Sequence, residues 1–272
     1  MVRRVKEMVE DLLQREDRYN IRAVGRALRL LSLLSDGKPR TLTKLSEEIS
    51  INSSTTFRLL TTLACHNYVE RDSQIPAYRL GIACLELTRA YQESSDIRRI
   101  ALSELERLRD ETKETVHLAV LDKMEVVYIE KLHGLHAIGI MHSLVGGRAP
   151  AYCTGLGKIL LAYTDFDFVR TYYTETGLAR FSDATIKNVD SLLDHLERVR
   201  NQGYALDLGE HEAEVRCVAA PIFGMSGMVL AAISVSGPVS RMKTLETQTE
   251  LIQKTCEAAH AISSRIGYRA RP

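Results

Sequence analysis

Apolar residues recur at helical spacing along some stretches of the chain and at alternate positions along others, and the changes of period divide it into elements. Residues 4–16 put Val5, Met8, Val9, Leu12 and Leu13 on one stripe of a charged helix, and a second helical pattern runs over Ile21–Leu34. Leu42, Leu45 and Ile49 then share one side of a short helix, for which Thr43 is the expected cap. Ile51, Asn52 and Ser53 break that pattern, and either Asn52 or Ser53 can cap the next helix, which reaches about Cys65. In this second helix Thr56, Leu59, Leu60 and Leu63 face a core, which leaves Ser54, Thr55, Arg58, Thr61 and Thr62 on the opposite side. Tyr68–Arg71 and Tyr78–Leu80 alternate as two strands around Asp72–Ala77. Two short helices meeting at a tight turn, followed by a strand pair, are the layout of a winged helix-turn-helix.

Beyond Gly81 the pattern is helical over Ile82–Tyr91 and breaks at Gln92–Asp96, where a domain boundary is expected. Asp96 is placed to cap a helix carrying Ile97, Ile100, Ala101, Leu105 and Leu108, running to Lys113. Period two follows, with His117–Leu121 and Val126–Ile129 flanking the turn Asp122–Glu125, and Ala137–His142 reading as a third strand. Helical patterns return at Leu156–Tyr163, Asp165–Glu175 and Val189–Asn201. Strands are expected at Arg216–Phe223 and Met228–Ser236, and a last helix over Leu245–Ile266. Helices flanking an antiparallel sheet make this half an α+β domain. The expected divisions are 1–20, an N-terminal helix able to contact its own domain or a second subunit; 21–81, the winged unit; 82–95, a linker helix; and 96–272, the α+β domain.

Charge adds a partner to this outline. Residues 1–80 hold 14 Lys and Arg against 10 Asp and Glu, whereas the remaining residues hold 22 against 25. The basic excess coincides with the winged unit, and no acid lies on the outward face of its second helix, so double-stranded DNA is the expected partner. Small hydroxyls on Ser53, Ser54, Thr55 and Thr62 let such a helix approach the major groove closely, and Arg58 can reach a guanine edge or a phosphate. Arg71 sits in the wing, which lies along the backbone or minor groove.

The chain has 272 residues, 45% hydrophobic and 26% charged, as expected of a globular protein. No apolar run approaches the ~20 residues of a membrane span, and the start is soon interrupted by acids, so a cytoplasmic location without membrane contact is expected. The five cysteines are scattered and never in CxxC spacing, which suggests neither a disulfide framework nor a structural zinc site.

The ordered matches Ser53–Leu63, Tyr68–Asp72, Tyr78–Gly81, Glu114–Leu118, Thr154–Lys158, Gly203-Tyr204, Arg216–Pro221 and Ser234–Pro238 resemble the IclR family of bacterial transcription regulators over nearly the whole length. The resemblance implies a winged helix-turn-helix joined by a helix to a GAF-like effector domain, assembled as a homodimer or dimer of dimers on operator DNA. Repression is the commoner role in that family, and an effector that shifts dimer geometry can release DNA or tighten it.

The family's ligand pocket implies effector positions at Ile138, Met141, Gly155, Leu156, Asp207, Cys217, Ser234 and Ser236. Thr154-Gly155-Leu156-Gly157 precedes a helix, where unpaired N–H groups suit a carboxylate. Tyr152 and Ile159 stand where a phosphate loop needs glycine and Ser or Thr, so nucleotide hydrolysis is excluded. Ser234 and Ser236 point to one face of a strand, and Asp207 can accept hydrogen bonds or carry a shared proton. Amides, two hydroxyls and one acid suit a small organic acid, with no cofactor, metal or enzymatic activity expected. Two weaker readings compete: a metal site drawn from His117, His142, Asp207, His211 and Cys217, which lack a close motif spacing, and a cysteine nucleophile pairing Cys217 with His211.

Overall fold

The computed structural model describes residues 21–72, 74–94, 96–136, 143–242 and 249–269. The stripe at 4–16, the expected strand at 137–142, and with it Ile138, Met141 and His142, lie outside the described residues. Two compact units divide the chain, one ending at Ser94 and the other beginning at Ser95.

The first unit comprises α1 (Arg22–Leu34), β1 (Arg40–Thr41), α2 (Leu42–Glu48), α3 (Ser53–Cys65), β2 (Val69–Arg71), β3 (Ala77–Leu80) and α4 (Ala83–Ser94). Leu30 and Leu34 of α1 close over Leu45, Ile49, Leu60 and Val69, the apolar stripe positions of the other elements. The three strands form an antiparallel sheet in the order β1-β3-β2. The cap of α2 is Thr41 rather than Thr43: pairing with Ala77 keeps Thr41 extended, and its hydroxyl accepts the Lys44 N–H at 3.3 Å. For α3 the cap is Asn52, whose carboxamide oxygen accepts the Thr55 N–H at 2.8 Å. Gly81 closes the wing where a Cβ would lie 2.2 Å from the Asn67 carbonyl oxygen. The following helix continues past Tyr91 through Ser94, since Gln, Glu and Ser contain neither the ring nor the flexibility that stops a helix.

The second unit comprises α5 (Asp96–Thr112), β4 (Thr115–Asp122), β5 (Glu125–Leu132), β6 (Arg148–Pro150), α6 (Gly155–Ala162), α7 (Phe166–Thr176), α8 (Val189–Gln202), β7 (Ala205–Asp207), β8 (Val215–Phe223), β9 (Val229–Pro238) and α9 (Thr249–Ile266). Its strands form one antiparallel sheet in the order β6-β5-β4-β9-β8-β7. Lys123 and Met124 turn the β4–β5 hairpin with φ of 51° and 63°, both in the left-handed region of a tight two-residue loop.

Alternation sends the two faces of this sheet into two cores. On one face Val116, Leu118, Val218, Ala220, Ile233 and Val235 pack against Leu105 and Leu108 of α5 and Ala258 and Ile262 of α9. On the other, Ala119, Ala219 and Ala232 pack against Leu156, Ile159 and Leu161 of α6, with α7 and α8 behind. Small residues on this second face let α6 lie close to the strands, and every residue of α6 is buried. Among the described residues no helix is long and apolar enough to cross a membrane.

Candidate functional site

Two places carry the residues singled out by the sequence, one in each unit. In the first, Asn52 fixes the start of α3, and Ser54 Oγ donates to the same carboxamide oxygen at 2.9 Å. Thr56 and Leu60 are buried while Ser53, Ser54, Arg58 and Thr62 are exposed, with Thr55 half-buried beside the cap. The Thr61 and Thr62 hydroxyls donate to the Phe57 and Arg58 carbonyls, both at 2.9 Å, so toward a ligand they offer lone pairs. Arg58 has no ion pair among the described residues. Phe57, which the helical pattern assigns to neither face, is 50% exposed. Arg71 is exposed at the end of β2, opposite Tyr78, while neighbouring Arg79 is tied to Glu70 at 2.6 Å.

In the second unit a cavity of about 40 Å³ is lined by residues from β4, β5, α6, β7, β8, β9 and the loops beside them. Gly155, Leu156, Asp207, Cys217, Ser234 and Ser236 all line it, from four separate segments of chain. Thr154 caps α6 by accepting the Gly157 N–H at 3.2 Å. The Gly155 N–H is directed at the Cys217 sulfur, which leaves the Leu156 N–H for a ligand. Gly155 serves close packing as well: a Cβ there would lie 2.5 Å from Cys217 Sγ. Gly157 is also a packing glycine, because a Cβ would meet the Ala151 carbonyl oxygen at 2.2 Å.

Register brings a further residue to the serines. His117 on β4 lies opposite Ser234 of β9, with its Nδ1 at 3.4 Å from Ser234 Oγ and 3.5 Å from Ser236 Oγ. Its Nε2 is 2.8 Å from Ser143 Oγ. Burial, helped by Lys131 and His133, holds the imidazole down to about 3, so it is neutral and offers one donor and one acceptor. The Asp207 carboxylate takes the Gly209 and Glu210 N–H groups on Oδ1, at 3.0 and 2.8 Å. Burial pushes Asp207 above the usual carboxylate range, against the pull of Lys158 and these two amides. His211 and Glu212 reach the cavity from a loop that Ser182 and Thr185 hold by donating to the carbonyls of Gly209 at 2.6 Å and Glu210 at 2.7 Å.

Residues 23–73 match the IclR helix-turn-helix domain, and residues 89–264 match the bacterial transcriptional regulator IclR C-terminal domain. The chain belongs to the IclR family. It is 33% identical to the HTH-type transcriptional regulator KdgR of Escherichia coli over 253 residues, spanning 93% of this chain and 95% of that protein. The HTH-type transcriptional repressor AllR of the same organism is 32% identical, over 92% of each. An IclR homolog from Microbacterium hydrocarbonoxydans, complexed with 4-hydroxybenzoate, superposes with a TM-score of 0.78 at 26% identity, covering 90% of this chain and 98% of that one. IclR membership makes the chain a DNA-binding transcription regulator of α+β architecture.

Neither competing reading gains support from this IclR-type unit. Among the described residues no group of three or more His, Cys, Asp or Glu side chains is arranged to hold a metal ion. Cys217 is buried, and burial together with Asp207 pushes its thiol up to about 12, with the Gly155 N–H pulling weakly the other way. A nucleophilic cysteine needs the opposite shift. His117, singled out in the sequence only as a metal-ligand candidate, is placed beside the serines by the β4–β9 register, and the buried pair of Lys158 with Glu210, 52 residues apart, carries no sequence signal.

Proposed function

We propose that this regulator acts in the cytoplasm as a homodimer or dimer of dimers, represses a catabolic operon, and is controlled by a small organic acid held in the second unit. In this reading Ser53, Ser54, Thr55, Arg58 and Thr62 on α3 meet the major groove and Arg71 meets the backbone. Phe57 adds an apolar contact suited to a thymine methyl.

The observation that carries the effector assignment is the polar lining of the cavity, which sets one helix-start amide, two serine hydroxyls and an aspartate around one opening. Gly155, Leu156, Asp207, Cys217, Ser234 and Ser236 form its described wall, and Ile138 and Met141 are proposed to complete it. The bound 4-hydroxybenzoate of the Microbacterium relative, an aromatic hydroxy acid, supports a small organic acid as the ligand. Self-association is supported by apolar residues exposed at helical spacing: Ile21, Val24 and Leu28 at the start of α1, and Ile82 and Leu85 at the start of α4.

A thermal-shift panel of small hydroxy acids and their uncharged alcohols tests the assignment. Acids are expected to stabilise the protein and the alcohols not, with the gain lost in the Ser234→Ala/Ser236→Ala variant. Stabilisation that survives that double substitution would place the effector elsewhere.

A further inference from the structure

A site for an organic anion commonly presents Lys or Arg to it. Among the described residues this cavity presents none: its ionisable lining is Asp207, His211, Glu212, the neutral His117, Tyr128 and Cys217. The fully buried Lys158 on α6 is committed elsewhere, its ammonium donating to the Leu206 carbonyl at 2.6 Å and to Glu210 Oε1.

Lys158 faces Asp207 from α6, Glu210 from the loop that follows β7, Arg216 and Cys217 from β8, Tyr128 from β5, and Cys153 from the turn before α6. Burial keeps Cys153, Cys217 and Tyr128 protonated. Arg216 turns one guanidinium nitrogen to the Ala213 and Val215 carbonyls, at 3.1 and 3.0 Å. Among the described residues Lys158 is therefore the one fully buried cation for two buried carboxylates, and Glu210 claims it directly. Glu210 Oε2 is itself buried without a hydrogen-bond partner among the described residues. Asp207 is 5% exposed and has Oδ1 engaged by two amides, which leaves Oδ2 for the cavity it lines. A ligand carboxylate seated there adds a second uncompensated buried anion, an arrangement that two adjacent carboxylates avoid by sharing a proton.

We infer that the effector acid is bound together with one proton carried on Asp207 Oδ2, so that the site takes up a monocarboxylate with no net change of charge and Asp207 donates a hydrogen bond to it. The inference rests on the placement of the effector in this cavity. The balance is simple: the free acid anion and one solvent proton enter, an O–H bond forms on Asp207, and no other bond changes. Lys158 and Glu210 are positioning residues, and the Gly209 and Glu210 amides hold the other oxygen as the acceptor.

Linkage gives the sign. Proton uptake on binding makes the anion bind best at low pH. The dissociation constant rises as pH climbs above the value at which Asp207 titrates in the free protein, by about tenfold per unit, until the value in the complex is passed. The test is isothermal titration of the full-length chain with D-glycerate and with 4-hydroxybenzoate between about pH 6 and about pH 8.5, in buffers of different ionisation heat. Asp207→Asn is run beside the wild type, because an asparagine keeps Oδ1 as acceptor and places a fixed N–H donor where the O–H would form. The expected result is uptake of one proton per bound acid by the wild type, weakening affinity with rising pH, and neither effect in Asp207→Asn.

A flat pH profile with no buffer-dependent heat in the wild type would overturn the proton while leaving the site in place, and this reading needs no variant. A pH slope that persists in Asp207→Asn would assign the proton to another group, His211 or Glu210, and overturn the role of Asp207. Failure of both acids to bind the wild type at any pH would overturn the organic-acid reading of the cavity and the proton with it.

Discussion

The helices α3 and α6 begin alike and end in different uses. Each starts at a side chain that accepts an N–H of the first turn, Asn52 for α3 and Thr154 for α6, and each gathers small or hydroxylated residues around that start. At α3 the surroundings are solvent, so Ser53, Ser54 and Arg58 are presented on a convex surface that a double helix can cover. At α6 every residue is buried, two glycines bring the backbone against β8 and the turn before it, and the start of the helix looks into a small cavity. Burial, not the capping motif, is what separates the two helix starts.

That contrast predicts unequal consequences for similar substitutions. The largest is expected beneath α6: Lys158→Ala leaves Glu210 and Asp207 as buried unpaired charges and should lower the unfolding free energy by about 3–5 kcal/mol in urea titrations. Unchanged stability would show that the cluster is hydrated and the cavity wetter than its lining suggests.

The two caps make a matched pair. Thr154→Val strands the buried Gly157 N–H and should destabilise by about 1–3 kcal/mol, whereas Asn52→Ala, at a solvated helix start, should cost about 1 kcal/mol. Equal losses would remove burial as the distinguishing factor. Smallest of all is Arg71→Ala, which should leave stability alone and reduce the slope of log affinity for DNA against log salt by about one. An unaltered slope would take Arg71 off the phosphate backbone.

How far each site could be read before folding follows the same division. The outward face of α3 is set by spacing within one helix, so Ser53, Ser54, Arg58 and Thr62 were legible, while Phe57 was not, because it lies between the apolar stripe and the polar face. Ser234 and Ser236 were legible as one strand face for the equivalent reason. His117 joins them only through pairing across 117 residues, and Lys158 meets Glu210 only after α6 docks on the sheet. Strands β1, β6 and β7, of two or three residues, are too short to show alternation. The two-residue β1 is also what moved the cap of α2 from Thr43 to Thr41.

The central claim, that the exposed face of α3 reads DNA while the buried start of α6 holds the effector, is tested most directly by one anisotropy titration. A labelled fragment from upstream of the protein's own gene is bound by the wild type and by Arg58→Ala, with excess unlabelled nonspecific DNA present. The account predicts wild-type binding that survives the competitor and an affinity loss of about 1–3 kcal/mol for Arg58→Ala. Wild-type and Arg58→Ala curves that coincide would contradict it.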